Sequence, residues 1–311
     1  MATRRIVFRS LSALVISAAM LSILFSLSDL DWRDFSKLDF AGFALVVVFH
    51  ALVLVTRGWL MSELSQRGED GSARPLAWVH LAARHQFIFT VLPTGLGDLL
   101  FPALAKRLVG RTAEEAFSVI AQVRSRDLIV LITLALGGGL VIAGIEWAAA
   151  AVAFLALPVL FYADELLRLA LHLVRRSLPY GKLAGFLRAI ALSESPDSFV
   201  RFRLTVASIF IWAFATCSVL AAFETIREPV PVGVAMLFLA GINFFGALAI
   251  SIGGLGVSET GGTAALVLAD RTVKNATALA LLARPLLLVS MLSASVMIDV
   301  ILTSARLIGR R

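Results

Sequence analysis

A chain of 311 residues that is 59% hydrophobic and only 16% charged is too apolar for a soluble domain of its length. Its net charge of +7 does not signal nucleic-acid binding, because Lys and Arg cluster beside apolar runs, where membrane topology and anionic headgroups place them. The single cysteine, Cys217, excludes a disulfide framework and a CxxC metal site.

Uncharged runs at 10–28, 40–56, 128–145, 147–163 and 204–223 have the length a helix needs to cross ~30 Å of hydrocarbon. The first follows Arg4, Arg5 and Arg9 and reads as a retained signal anchor. Segment 76–105 is oily but broken by Pro93, Gly95 and Gly97, with Asp98 behind them. Thr112-x-x-Glu115 is a capping box that opens the third crossing, which carries Arg124, Arg126 and Asp127. Segment 164–203 is Arg-rich; within it 164–193 reads as a basic amphipathic helix on the inner leaflet, or as a plain connector, broken at Pro179-Tyr180-Gly181. Segment 229–269 is again interrupted, by Gly253-Gly254-Leu255-Gly256, and holds Asn243 and Glu259. The last crossing, 275–305, carries Arg284, Pro285 and Asp299, with Asn275 as its expected cap.

Basic residues at the N-terminus, 57–74 (Arg57, Arg67, Arg74), 106–111, 164–203 and the C-terminus mark the cytoplasmic side. Segment 76–105 then enters from the cytoplasm and returns to it, and 229–269 does the same from the outer side, leaving Arg271 and Lys274 outside. The expected fold is an all-α polytopic membrane protein with about six transmembrane helices and two re-entrant broken-helix hairpins in an inverted repeat. Its halves are 1–145 and 146–311 of one transmembrane domain, with the cytoplasmic connector at about 164–203. Gly95-Leu96-Gly97 and Gly254-Leu255-Gly256 match across the halves; each is followed by an acid, Asp98 or Glu259, and later by an Arg, Arg124 or Arg284. Inverted repeats with broken helices are a common transporter plan.

At ~1.5 Å per residue, Arg124 lies ~18 Å from the cytoplasmic end of its helix and Arg284 ~14 Å from the outer end of its own. The two depths together approach the ~30 Å core, so both guanidiniums sit near its centre. A central Arg costs ~3 kcal/mol or more and faces a partner or a wet cavity. Arg124 and Asp127 share a helix face, while Arg126 points elsewhere, toward an acid such as Asp98 or Glu259. Half-helix N-termini at the Gly breaks attract anions. The expected substrate-binding set is therefore Gly95, Gly97, Asp98, Arg124, Asp127, Gly253, Gly254, Gly256, Glu259 and Arg284. Ion pairs that only lock helices together account for the same residues equally well. His50, His80 and His85 show no metal-ligand spacing with a carboxylate, and no Ser/His/Asp set or P-loop is present, so neither metal, cofactor nor catalytic residue is expected.

Three motifs, Leu92-Pro93-x-x-Leu96-Gly97-Asp98, Arg124-x-x-Asp127 and Ser251-x-Gly253-Gly254-Leu255-Gly256-Val257-x-Glu259 followed by Arg284, make the chain resemble the lysylphosphatidylglycerol synthase transmembrane region, a flippase-like integral membrane family. It departs from the family pattern at Phe101, where an Arg is usual, at Val123, where an acid is usual, and around Ile250, where a Pro is usual. The resemblance implies a membrane domain that moves lipids or lipid-linked sugars between leaflets. The best-known members are fused to an aminoacyl-lipid synthase; here the chain ends at Arg311, so no aminoacyl transfer is expected.

Two functions follow as expectations. In one, the chain is a translocator in the bacterial inner membrane, with both termini cytoplasmic, for an anionic or polyprenyl-phosphate-linked lipid; transport runs downhill or is coupled to protons through Asp98 or Glu259. In the other, it is a non-transporting accessory subunit that docks a glycosyltransferase or lipid-synthesis enzyme through 164–203. A membrane-embedded enzyme is disfavoured.

Overall fold

The computed structural model describes residues 15, 17–28, 39–65, 75–92, 96–175, 196–248 and 254–308. Among these residues there are eleven helices and no strand. They are α1 (Ser17–Leu27), α2 (Phe40–Ser65), α3 (Pro75–Val91), α4 (Leu96–Val109), α5 (Ala113–Ile142) and α6 (Glu146–Phe161), then α7 (Ala163–Arg175), α8 (Ser198–Thr225), α9 (Val232–Leu248), α10 (Val257–Leu268) and α11 (Val273–Ile308). Helices α2, α5, α8 and α11 are long and apolar enough to cross a membrane, and α6 with α7, bent by 69°, makes a fifth span when the two are taken together. The chain is an all-α polytopic membrane protein.

Local chemistry sets the helix starts. Asp39 Oδ2 accepts the Gly42 N–H at 2.8 Å at the start of α2, and Asp197 Oδ1 accepts the Val200 N–H at 2.8 Å at the start of α8. The Thr112–Glu115 capping box opens α5 as expected, with N–H···O distances of 3.0 and 3.2 Å. Asn275 does not cap α11. That helix starts earlier, at Val273, and Thr272 Oγ1 accepts the Asn275 N–H at 3.4 Å, because a hydroxyl just ahead of the first turn meets the unpaired N–H groups better than a side chain inside it.

The two interrupted segments form helical hairpins, α3 on α4 and α9 on α10. Helix α4 has 14 residues and α10 has 12, so they extend ~21 and ~18 Å, short of a ~30 Å core. Helix α2 runs along α8 through the middle of the bundle. Around that pair, α5 touches both α4 and α9, and α11 touches both α10 and α3. Each hairpin is thus held by the long helix that follows it and by one other long helix, α11 for α3–α4 and α5 for α9–α10.

Close helix approach depends on missing side chains. A Cβ on Gly241 of α9 would lie 2.6 Å from the Gly261 carbonyl oxygen of α10, and one on Gly261 would lie 2.5 Å from the Gly241 oxygen. A Cβ on Gly58 of α2 would lie 2.4 Å from Val79 Cα of α3. These obstacles are backbone atoms, which cannot swing aside. Without a hydrophobic force between helices in lipid, such contact is the main source of association.

At the Tyr162 bend, Arg126 of α5 donates to the Leu160 carbonyl at 3.1 Å and pairs with Asp164 at 3.1 Å. It therefore joins the C-terminus of α6 to the N-terminus of α7, and its acid is neither Asp98 nor Glu259 as expected. Both side chains are almost fully buried, which makes a close local partner decisive. The Arg-rich connector is described in part. Its beginning is α7 and its end lies in α8, while residues 176–195, including the Pro179-Tyr180-Gly181 break, are outside the described residues.

Gly241→Leu should separate α9 from α10 and lower stability by ~1–3 kcal/mol, the usual range for overpacking. Gly139→Ala, where no atom lies within 4 Å of the added Cβ, should be neutral or stabilising by up to ~1 kcal/mol. Thermal unfolding in detergent, followed by tryptophan fluorescence, checks the pair.

Candidate functional site

Helices α2, α3, α4, α5, α8, α9 and α11 surround a cavity of about 500 Å³. Arg124 and Arg284 both line it. Each stands eleven residues after the first residue of its helix, Ala113 or Val273, so each is carried ~17 Å inward from that helix start. Three further charged residues, Arg57, Asp98 and Asp127, complete the ionic lining.

Asp98, in the first turn of α4, accepts two hydrogen bonds from Arg124, at 2.8 Å from Nη2 and 3.0 Å from Nε. His85 of α3 lies 3.1 Å from the same carboxylate and is itself buried edge-on against Phe101. The Arg124 guanidinium stacks over the Phe89 ring, 4.7 Å from its centre, which adds a cation–π contact to the ion pair. Asp127, one turn further along α5, receives two hydrogen bonds from Arg57, at 2.8 and 3.2 Å, and one from the Trp212 indole N–H at 3.1 Å. Arg124 Nη1 stands 3.6 Å from Asp127, so the expected pairing on one helix face is present but secondary to Asp98.

Arg57 is a correction to the sequence reading. The sequence places it in a cytoplasmic loop at 57–74, because the uncharged run stops at Thr56. Helix α2 continues to Ser65, and Arg57 stays within it because a carboxylate on α5 receives both of its donors. Trp212 and His50 also line the cavity without having been predicted as site residues. His50 sits between two hydroxyls, with Nδ1 2.8 Å from Ser290 and Nε2 3.3 Å from Ser218. A histidine or tryptophan in an apolar run carries no local mark of facing a cavity; only the facing helices reveal it.

The other expected residues take different places. Gly254 lines the cavity and has φ +78°, a left-handed conformation that glycine adopts without strain. Gly256, at φ +86°, faces Met20 of α1 instead, where a Cβ would come within 2.4 Å. Gly97 is buried against Phe89 and serves the α3–α4 contact. Glu259 is fully buried, and its Oε2 accepts the Gly256 N–H at 2.6 Å, capping its own helix away from the cavity lining. Asn243 lines the cavity while donating to its own helix at Leu239 O, 2.8 Å away. Gly95 and Gly253 are outside the described residues. Among the described residues, no three His, Cys, Asp or Glu side chains converge as metal ligands.

A family model for the lysylphosphatidylglycerol synthase transmembrane region matches residues 10–294, and the chain belongs to that family. The family is the membrane region of such proteins and not their catalytic domain. No curated protein and no solved structure matches the chain.

Asp127→Leu should cost ~3–5 kcal/mol, since it strands Arg57, and Arg57→Met should cost less, since Asp127 keeps Trp212 and Arg124. The double variant should cost clearly less than the two losses added together, because it strands neither. Unfolding of the four proteins in mixed micelles gives the coupling; strictly additive losses would show that the pair does not interact.

Proposed function

We propose, from membership in this family and from the charged cavity, that the chain is a flippase-like lipid translocator. An anionic, phosphate-bearing headgroup, on a glycerophospholipid or a polyprenyl carrier, passes through the cavity while its hydrocarbon chains stay in the bilayer. One observation carries this reading. Within a bundle of membrane helices, three guanidiniums (Arg57, Arg124, Arg284) and two carboxylates (Asp98, Asp127) converge on one ~500 Å³ space. Charges are expensive in hydrocarbon and concentrate where an ion or polar ligand moves. A guanidinium matches phosphate with paired N–H donors, and three of them face this space.

The contact pattern supports reading the chain as two related halves. Exchanging α2 with α8, α3 with α9, α4 with α10 and α5 with α11 turns each contact among these helices into another contact that also exists: α5 on α9 becomes α11 on α3, and α4 on α5 becomes α10 on α11. In the proposed arrangement the halves are inverted in a bacterial inner membrane, with both termini cytoplasmic, so that each hairpin approaches the cavity from its own leaflet. The headgroup leaves one leaflet beside Asp98 and Arg124 and reaches Arg284 on its way to the other. Bidentate contacts to Asp98 hold Arg124 between passages, and an incoming phosphate offers that side chain an alternative partner of the same geometry.

Liposomes carrying the protein and lipids labelled on the headgroup test the reading by dithionite bleaching. Wild-type protein should expose inner-leaflet label faster than empty liposomes. Arg284→Ala and Arg124→Ala should slow this by about tenfold or more, as loss of a charge-assisted hydrogen bond worth ~1.5–3 kcal/mol predicts. Scrambling 176–195 should leave the rate unchanged. The opposite pattern, with the Arg variants active in cells and the scrambled chain inactive, would replace transport by an accessory docking role.

A further inference from the structure

A second cavity, of about 330 Å³, lies between α5, α9 and α10. Its lining consists of apolar side chains and glycine alone. Its floor is low because Gly241 and Gly261 meet there backbone to backbone, beside Ala240 and Ala265. Leu136, Leu237 and Leu268 rise around this floor. Leu136 is 54% exposed and Leu268 67% exposed, so the groove opens on the surface that faces hydrocarbon. Leu131 and Phe244 line both this groove and the charged cavity, which makes them a sill between the two.

We propose that the groove holds one hydrocarbon chain of the lipid whose headgroup occupies the charged cavity, with Leu131 and Phe244 as the sill over which the two parts join. The inference rests on the lipid reading of that cavity. Chemistry and continuity select this occupant. Water finds none of the two to four polar partners it needs there. A chain does fit, and continuity with a charged space places a headgroup at its end.

The same physics states what the groove alone does not do. Lipid tails are as apolar as leucine, so a chain gains no hydrophobic free energy by leaving the bilayer for the groove. Selection among lipids must come from the headgroup that the guanidiniums hold. An anionic lipid should therefore occupy the groove far more than a neutral lipid with identical chains. General solvation by bilayer lipid would treat the two alike.

Photolabelling the full chain in neutral-lipid nanodiscs tests this without requiring transport. The probes are phosphatidic acid and diacylglycerol carrying the same diazirine on one acyl chain, with labelled residues mapped by peptide mass spectrometry. Phosphatidic acid should label the groove about tenfold more than diacylglycerol, the ratio given by ~1.4 kcal/mol of headgroup binding. Exposed residues of α11 such as Val296 and Val300 should be labelled equally by both probes. Ala264→Trp, on the groove wall, should remove most of the phosphatidic acid labelling, while Val267→Trp, on the same helix but outside the groove, should not. Equal labelling of the groove by both probes, or labelling that Ala264→Trp leaves intact in a folded protein, overturns the assignment. Groove labelling without any bleaching activity would keep the chain site and remove the translocator reading; bleaching with uniform labelling would do the reverse.

Discussion

Burying a charge in a bundle made for hydrocarbon costs several kcal/mol per ion unless a partner of opposite charge stands beside it. That constraint organises this protein. A continuous series of polar contacts runs from Arg57 on α2 to Asp127 and Arg124 on α5, then to Asp98 on α4 and His85 on α3, with Trp212 of α8 joining at Asp127. Five helices meet through these side chains. None of them can shift far without leaving a charge or an indole N–H without its partner, so the network fixes the register of the first hairpin against α2, α5 and α8. It also keeps a space open, because charged groups held at their partners do not collapse onto one another as aliphatic side chains would.

Glycine supplies the complementary constraint. Apolar helices in lipid gain little from hydrophobicity when they associate, so contact must come from close approach. The Gly241–Gly261 and Gly58–Val79 contacts bring backbones together where any side chain would separate them. The first lets a helix as short as α10 lie tight against α9, and Gly97 against Phe89 does the same for α4 on α3. Paired charges therefore hold the lining of the cavity, and bare backbone holds the apolar helix contacts. The groove proposed for a lipid chain lies where the second device adjoins the first.

Much of this was legible in the sequence, for identifiable reasons. Gly and Pro clusters inside oily runs are strong breakers, so both hairpins could be placed. The Thr112–Glu115 capping box has a fixed spacing, so the start of α5 followed. What failed depended on contacts across the fold. Arg57 looked like a loop residue because a charge at the end of an apolar run normally marks a boundary, and the partner that overrides this, Asp127, is 70 residues away. Arg126 was given the wrong acid because its true partner, Asp164, lies beyond a bend at Tyr162 whose angle no local pattern fixes. His50 and Trp212 were missed because an apolar helix does not announce which of its faces lines a cavity. Asn275 lost the cap of α11 to Thr272, a shift of three residues of the kind expected at helix ends.

The α3–α4 and α9–α10 hairpins differ most where their sequences look most alike. Asp98 and Glu259 both occupy the third position of the second helix in their hairpins, just after the glycine break. Asp98 is short and reaches Arg124, leaving its own helix start behind. Glu259, one methylene longer, folds back onto the Gly256 N–H and closes the N-terminus of α10. A carboxylate that caps its own helix leaves a backbone N–H unpaired when its side chain rotates away, whereas rotation of Asp98 leaves the Arg124 donors for another partner. On the translocator reading the hairpins therefore divide the work: the one containing Asp98 carries the exchangeable ion pair, and the one containing Glu259 is the wall against which a ligand moves. A perfectly symmetric pair of sites would bind a headgroup equally at both and hold it in two equivalent wells. Making one acid a cap leaves the well at Arg284 different in kind from the well at Arg124, and two unequal wells either side of a shared space are easier to empty than two equally tight ones.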